Sequence, residues 1–101
     1  MLKHLDLWIN SKSNIFKAER FEVSVSKQLG EQVKAQYIEI EGNGLLSRAT
    51  LWETGSLALE SIDISSEKHV ISIIFDLSEC EQIEDKLNWW LSEITAYEWD
   101  K

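Results

Sequence analysis

The sequence predicts an α+β protein with the order α-β5-α, in which a single antiparallel meander sheet carries an N-terminal and a C-terminal helix. Apolar residues follow helical spacing near both ends of the chain and alternate with a period of two in between. Short turns separate the strand-like segments, which favours sequential antiparallel pairing. We expect residues 1–101 to form a single domain, because a chain of this length supports one hydrophobic core.

The first element is a helix. Leu2, Leu5 and Ile9 stand at i, i+3 and i+7, which places them on one helical face and predicts a helix over about residues 2–12. The polar run at residues 11–14 should loosen or end this helix, because serine and asparagine side chains compete for backbone hydrogen bonds. A helical continuation just beyond this run remains open.

Three strands follow the first helix. Alternation begins at Phe21 and predicts a short strand to about Ser26, and a turn near Leu29-Gly30 leads to a second strand at about 33–41. Gly42-Asn43-Gly44 then separates it from a third strand at about 45–53. Asparagine and glycine tolerate the positive φ angles of tight hairpin turns, so these two strands should form a hairpin.

Two more strands complete the predicted sheet. The fourth begins at Leu57, and its apolar positions change from odd to even after Leu59, which predicts a bulge or a bend near residues 60–61. The fifth covers about residues 70–77 and is apolar on both faces. This composition is typical of a central strand that is covered on both sides.

The last element is a second helix. Ser78 and Glu81 have capping-box spacing, and an apolar series then keeps one helical face for nearly four turns. We predict a helix over about residues 79–97. The apolar series consists of Ile83, Leu87, Trp90, Leu91, Ile94 and Tyr97.

Charge is unevenly distributed along the chain. Residues 1–36 carry a net charge of +2, whereas residues 37–101 carry fourteen acidic and four basic residues, a net of −10. Such a surface repels nucleic-acid phosphates and anionic lipids, and it raises the encounter rate with a basic protein. We therefore expect a protein partner, and neither a nucleic acid nor a membrane. The alternative is that the acidic residues only keep the protein soluble.

Residues suited to catalysis or metal binding are scarce. His4 and His69 are the only imidazole bases, and both are predicted to lie at the surface. Cys80 lies between Glu79 and Glu81, which oppose formation of a thiolate. The chain has neither zinc-ligand spacing, nor a calcium loop, nor a phosphate-binding glycine loop. We expect no catalytic residue, no metal site and no cofactor.

The expected location is the cytoplasm. A single cysteine excludes a disulfide framework within the chain. The first ten residues lack the apolar run of a signal peptide, and no segment approaches the roughly 18 apolar residues of a membrane span.

Two groups of acidic residues are candidates for a partner-binding surface. Carboxylates on neighbouring strands repel one another, and a basic partner would relieve that repulsion. The sheet group is Glu39, Glu41, Glu53, Glu60 and Asp63, together with Trp52. The helix group is Glu81, Glu84, Asp85 and Glu93. Acid-base catalysis by a carboxylate pair would require burial, which exposed strand faces seldom provide.

Tryptophan is unusually frequent, with five residues in the chain. Tryptophan anchors protein interfaces out of proportion to its abundance. Trp8 and Trp90 lie on the apolar stripes of their helices and are predicted core residues. Trp52 and Trp89 lie off the main apolar patterns, so both a core and an interface position stay open for each.

The middle of the chain and its last helix together resemble a known family. The relevant segments are Tyr37-Ile-Glu-Ile-Glu41, Gly42-Asn-Gly44, Arg48-Ala-Thr-Leu-Trp52-Glu-Thr-Gly55, Leu57-Ala-Leu-Glu-Ser-Ile-Asp63 and the pair Trp89-Trp90. They resemble the tri-tryptophan (TriTu) immunity proteins of bacterial polymorphic toxin and contact-dependent growth inhibition systems. The resemblance implies a cytoplasmic antitoxin that binds the C-terminal domain of a cognate toxin one-to-one and blocks its active site. It also implies that the toxin is basic and commonly a nuclease, whose phosphate ligand an acidic inhibitor mimics.

Two other functions fit the same sequence features. A small acidic secretion chaperone or adaptor would expose hydrophobic grooves and bind an unfolded segment, as a homodimer. A small enzyme or ligand-binding protein would hold a cavity between sheet and helices, where Tyr37, Arg48 and His69 would converge.

Overall fold

The chain begins with two short helices, α1 at Lys3–Ser11 and α2 at Ser13–Ala18. Lys12, between them, has φ −102° and ψ 4°, which interrupts the helix within the predicted polar run. The continuation that the sequence left open is therefore helical. The computed structural model describes most of the chain, namely residues 3–26, 30, 32–76 and 80–97.

Five strands form one antiparallel sheet in the order β1-β2-β3-β4-β5, followed by helix α3. The elements are β1 Glu22–Val25, β2 Ala35–Gly42, β3 Leu45–Trp52, β4 Ser56–Asp63, β5 His69–Asp76 and α3 Cys80–Ala96. The predicted α+β class and the α-β5-α meander are confirmed. Leu29 of the predicted first turn and Ser78 of the predicted capping box lie outside the described residues.

The β2–β3 hairpin forms at the predicted Gly42-Asn43-Gly44. Asn43 and Gly44 have φ angles of 53° and 75°, the positive values that a two-residue type I′ turn needs at both central positions. Gly42 is required for a different reason. A Cβ atom there would lie 2.2 Å from Cδ1 of Phe21, so only glycine lets this buried ring pack against the hairpin.

The hydrophobic core lies between one face of the sheet and the helices. Alternation along β3 and β4 places their odd-numbered residues on this face. The even-numbered residues of β2, which pair with the odd-numbered residues of β3, lie on the same face. The largest fully buried side chains include Trp90, Leu5, Ile38, Ile40, Leu45, Leu51, Leu57 and Leu59. Burial of this apolar surface is the main stabilising contribution to the fold.

β5 is an edge strand, so the prediction of a central strand covered on both sides is wrong. The last strand of a meander has one neighbour, which here is β4. Val70, Ile73 and Ile74 consequently remain 40 %, 39 % and 72 % exposed. An apolar pattern does not distinguish side chains that the chain itself buries from those left on its surface.

The predicted change of phase within β4 does not occur. The core side of β4 continues through Ser61 and Asp63, which are buried, whereas Ile62 is half-buried on the other face. The hydroxyl of Ser61 donates to Oγ of Ser47 at 2.7 Å, so these buried polar groups are satisfied. The β4–β5 register does shift between Ser61 and Ile62, but the additional residue is Val70 of β5.

Candidate partner-binding surface

The sheet face that points away from the helices carries most of the sheet residues that the sequence nominated for partner binding. We call it the open face. It is formed by outward residues of β2, β3 and β4, namely Tyr37, Glu39, Glu41, Leu46, Arg48, Thr50, Trp52, Ala58, Glu60 and Ile62. Its position follows from the period of two, because each strand alternates between this face and the core.

A groove of about 250 Å³ lies on the open face. The antiparallel register aligns Glu39, Arg48 and Glu60 side by side on three adjacent strands. Leu46 and Ile62 lie opposite each other in the next row and complete the lining. The groove therefore combines apolar side chains with carboxylates on either side of β3. Such a lining fits the apolar stem and charged end of a lysine or arginine side chain.

Arg48 neutralises part of the negative charge in the groove. Its Nη2 atom lies 3.3 Å from Oε1 of Glu39, and its guanidinium carbon lies 4.5 Å from the centroid of the Tyr37 ring. The ion pair is solvent-accessible and contributes about 0–1 kcal/mol to stability. Among the described residues, Glu41 and Glu60 form no ion pair, so both charges remain accessible to a partner.

The remaining members of the sheet group lie at different distances from the groove. Trp52 is half-buried on the open face at the end of β3. Glu53 follows it in the β3–β4 turn and is exposed. The fold thus brings Glu39, Glu41, Glu60 and Trp52 onto one face and places Glu53 at the rim.

Asp63 does not lie on the open face. The prediction that it joins Glu39, Glu41 and Glu60 there is wrong. Alternation along β4 turns it towards the core, where it is 7 % exposed. Its carboxylate accepts hydrogen bonds from Tyr97 Oη at 2.5 Å, Ser65 Oγ at 2.8 Å and the backbone nitrogen of Ser66 at 3.1 Å. These bonds, led by that of Tyr97, lower the pKa of Asp63 from 3.8 to about 2. Asp63 therefore stabilises the β4–β5 turn and fastens it to Tyr97.

Asn43 provides a second link to the end of α3. Its Nδ2 atom donates to the carbonyl oxygens of Ile94 at 2.9 Å and Tyr97 at 2.8 Å. Carbonyls at a helix C-terminus lack helical partners, so this side chain satisfies groups that the helix cannot satisfy itself. The sequence indicated only a turn at Asn43. The long-range contact depends on tertiary packing, for which the local pattern carries no signal.

The outer side of α3 is the second acidic surface. Glu84, Asp85 and Glu93 are exposed there, and the side chain of Glu81 lies outside the described part of the chain. Successive helical residues are separated by about 100°, so Glu84 and Glu93 point in nearly opposite directions. The helix group is consequently more dispersed than the carboxylates of the open face.

The structure does not form the enzyme or ligand-binding site that Tyr37, Arg48 and His69 were expected to line under the alternative hypothesis. Tyr37 and Arg48 lie on the open face, and so does His69, at the exposed start of β5 opposite Ile62. The three side chains do not converge between sheet and helices, where the apolar core lies. No group of three or more His, Cys, Asp or Glu residues within the described ranges could hold a metal ion. None of the described helices has the length and apolar character needed to span a bilayer.

Leu46 and Ile62 were not among the residues nominated from the sequence. Alternation with Arg48 and Trp52 does place Leu46 on their face. Its position opposite Ile62, however, depends on the β3–β4 register, which becomes visible only in the folded sheet.

A family model described as immunity protein TriTu matches residues 3–93 of the chain, a range that includes the whole sheet. The chain belongs to the TriTu immunity protein family. No curated protein sequence matches it. Membership is consistent with an antitoxin role and implies a cognate toxin protein as the partner. Immunity proteins are generally inhibitors and not enzymes.

In this TriTu protein, Trp8 and Trp90 are core residues, as predicted. Their ring centroids are 6.3 Å apart, and they are 4 % and 0 % exposed. The indole of Trp8 donates to Oδ1 of Asn88 at 2.9 Å, and that of Trp90 donates to the backbone oxygen of Glu60 at 3.4 Å. Trp90 thereby links α3 to the backbone of a residue whose side chain lines the groove.

Two further tryptophans of the TriTu protein remain accessible at the surface. Trp52 is half-buried on the open face, and Trp89 is 42 % exposed on α3. Of the four tryptophans within the described ranges, Trp52 is therefore the one that shares a face with the acidic groove.

Proposed function

We propose that this TriTu protein is a cytoplasmic immunity protein of a contact-dependent growth inhibition or related polymorphic toxin system, and that its open face binds and blocks a basic toxin domain. Family membership supports the class of function. The groove supports the choice of the open face as the binding surface, because it places Glu39 and Glu60 on either side of β3 beside the exposed Leu46 and the half-buried Ile62. Glu41 and Glu60, which form no ion pair with another described residue, favour a cationic partner.

The acidic character extends beyond the groove to both neighbouring strands. Glu22 on β1 lies opposite Glu41, and Asp76 on β5 lies opposite Ser56, so both occupy the same side of the sheet. Arg48 is the one arginine or lysine among the outward residues of the five described strands. The combined field of these carboxylates attracts a basic surface over distances of about one Debye length, roughly 8 Å at physiological salt.

The spacing of the carboxylates suits a nuclease as the target. Glu39 and Glu60 flank Arg48 at two strand spacings, roughly 9–10 Å, and Glu60 and Glu41 lie beside the Glu39–Arg48 ion pair as carboxylates that a partner's basic side chains would contact. Nucleases bind phosphates through lysine and arginine, and the same residues would bind these carboxylates. In this proposal the immunity protein occupies the phosphate-binding surface and excludes the nucleic acid.

The size of the sheet indicates how far the contact must extend. Five strands of up to eight residues cover a flat area of roughly 26 by 19 Å, or about 500 Å². A standard interface buries about 800 Å² on each partner. The contact should therefore include the rim of the open face, where Glu53 lies next to Trp52.

Co-purification with the C-terminal domain of the large polypeptide encoded beside this protein tests the proposal. We expect an equimolar complex, protection of cells that produce the toxin domain, and inhibition of its nuclease activity. The association rate should fall with added salt more steeply than the dissociation rate rises, because the attraction acts mainly on encounter. Binding only to an unfolded segment, or an association rate independent of salt, would contradict the proposal.

A further inference from the structure

Arg48 lies on β3, the middle of the three strands of the open face, and two neighbours hold its side chain. The Tyr37 ring lies beneath its guanidinium, 4.5 Å from ring centroid to carbon, and Glu39 accepts its Nη2 atom at 3.3 Å. Tyr37 is itself fixed at the backbone, because its nitrogen donates to Oγ of Ser26 at 2.9 Å and its carbonyl oxygen accepts from the nitrogen of Ser26 at 2.9 Å. A stacked, ion-paired arginine loses little freedom when a partner binds it.

The contact with Glu39 leaves Arg48 accessible to a partner. A guanidinium carries five N–H donors, and 46 % of the Arg48 side chain is exposed. Glu60 lies opposite Arg48 on β4, but within the described ranges Glu39 is the one carboxylate at ion-pair distance from it. Donors of Arg48 therefore remain available for an interface.

A partner that covers the groove also covers Arg48, because Arg48 is part of its lining. A cation removed from water needs hydrogen-bond acceptors, and an unpaired one makes the complex much weaker. A lysine or arginine of the partner would repel Arg48. A carboxylate, in contrast, matches the planar guanidinium with two parallel hydrogen bonds.

We propose that Arg48 is a specificity-determining residue of the toxin interface and that it binds a carboxylate of the toxin, while basic side chains beside that carboxylate contact Glu41 and Glu60. This role rests on the proposed function, since it belongs to the same surface. The register supplies the charge pattern: Arg48 lies between Glu39 and Glu60 in one row, and Glu41 lies in the next row on β2. A complementary toxin surface is negative at its centre and positive around it.

A toxin carboxylate at Arg48 reverses the expected effect of removing this arginine. A toxin that recognised negative charge alone would bind more tightly without Arg48, because the face would become more acidic. A toxin that pairs a carboxylate with Arg48 would bind more weakly, because that carboxylate would be left unpaired in the interface. The two cases differ in the direction of the change.

Surface plasmon resonance with the toxin domain should compare Arg48→Gln with Lys86→Gln. Both variants remove one positive charge and one contact between a cation and a ring, because Nζ of Lys86 lies 4.6 Å from the centroid of the Phe75 ring. Phe75 pairs with the buried Leu57, so this control lies on the helix side of the sheet. We expect Arg48→Gln to weaken binding about tenfold or more, mainly through faster dissociation, and Lys86→Gln to leave it unchanged. Circular dichroism of both variants establishes that they are folded.

Substitutions in the toxin domain identify the group that contacts Arg48. Each exposed aspartate or glutamate of the toxin domain is changed to its amide, and binding is measured to the wild type and to Arg48→Gln. We expect one carboxylate whose removal weakens binding to the wild type but not to Arg48→Gln. Tyr37→Leu should also weaken binding only while Arg48 is present, because the ring acts by holding the guanidinium.

The wild-type result separates the role of Arg48 from the proposed function. A wild-type chain that does not bind the toxin domain would contradict both. A wild-type complex together with equal or tighter binding by Arg48→Gln would overturn the role of Arg48 and leave the proposed function standing. The absence of any toxin carboxylate coupled to Arg48 would overturn that role as well.

Discussion

The two faces of the sheet differ in composition although the same strands form both. In β2, Ile38 and Ile40 are fully buried against the helices, whereas the intervening Glu39 and the following Glu41 point to the open face. One face holds the fold together by excluding water, and the other presents charge to water. Stability and the proposed partner recognition thus depend on alternate residues, so substitutions can separate them.

The largest effect is expected where α3 packs on the core face. Trp90→Ala should lower the free energy of unfolding by about 3–5 kcal/mol, because it leaves a cavity and removes the indole bond to Glu60. Urea denaturation measures this change. Trp89→Ala is the control from the next residue, which is 42 % exposed, and it should cost far less. Similar losses for the two variants would contradict the assigned core.

A smaller effect is expected at the link between the β2–β3 hairpin and α3. Asn43→Gly keeps the positive φ angle but removes the two hydrogen bonds to Ile94 and Tyr97, so it should cost about 1–2 kcal/mol. Asn43→Ala should cost about 1 kcal/mol more, because alanine also disfavours that backbone conformation. Thermal and urea unfolding measure both values. Equal stability of the glycine variant and the wild type would show that the two hydrogen bonds contribute nothing.

The Asp63–Tyr97 contact predicts an effect confined to acidic pH. The folded-state pKa of Asp63 is lowered to about 2 from the ordinary 3.8, so its stabilising contribution is fully present above pH 3.8. The contribution should decline as the pH falls from 3.8 to about 2, and Asp63→Asn should remove this part of the pH dependence. Tyr97→Phe should raise the pKa of Asp63, because it removes the leading hydrogen bond. Carboxyl NMR titration measures the pKa, and an unchanged value in Tyr97→Phe would refute this cause.

The fold was largely predictable from local patterns, because alternation, helical spacing and the Asn43 turn are properties of neighbouring residues. The face to which Asp63 belongs was not, since Ser61 occupies a core position that the apolar pattern does not mark. The edge position of β5 was missed for a related reason, because its isoleucines resemble core residues. The groove between Glu39 and Glu60 depends on the register of three strands, which no local pattern encodes.

A matched pair of charge reversals tests the division between the two faces most directly. The triple variant Glu39→Lys, Glu41→Lys and Glu60→Lys changes the open face, and Glu84→Lys, Asp85→Lys and Glu93→Lys changes the net charge equally on α3. Both should unfold within about 1 kcal/mol of the wild type, because the altered side chains lie outside the core. Calorimetric titration with the toxin domain should show that the first variant loses binding while the second retains it. Retained binding by the first variant and loss by the second would contradict the open face as the toxin-binding surface.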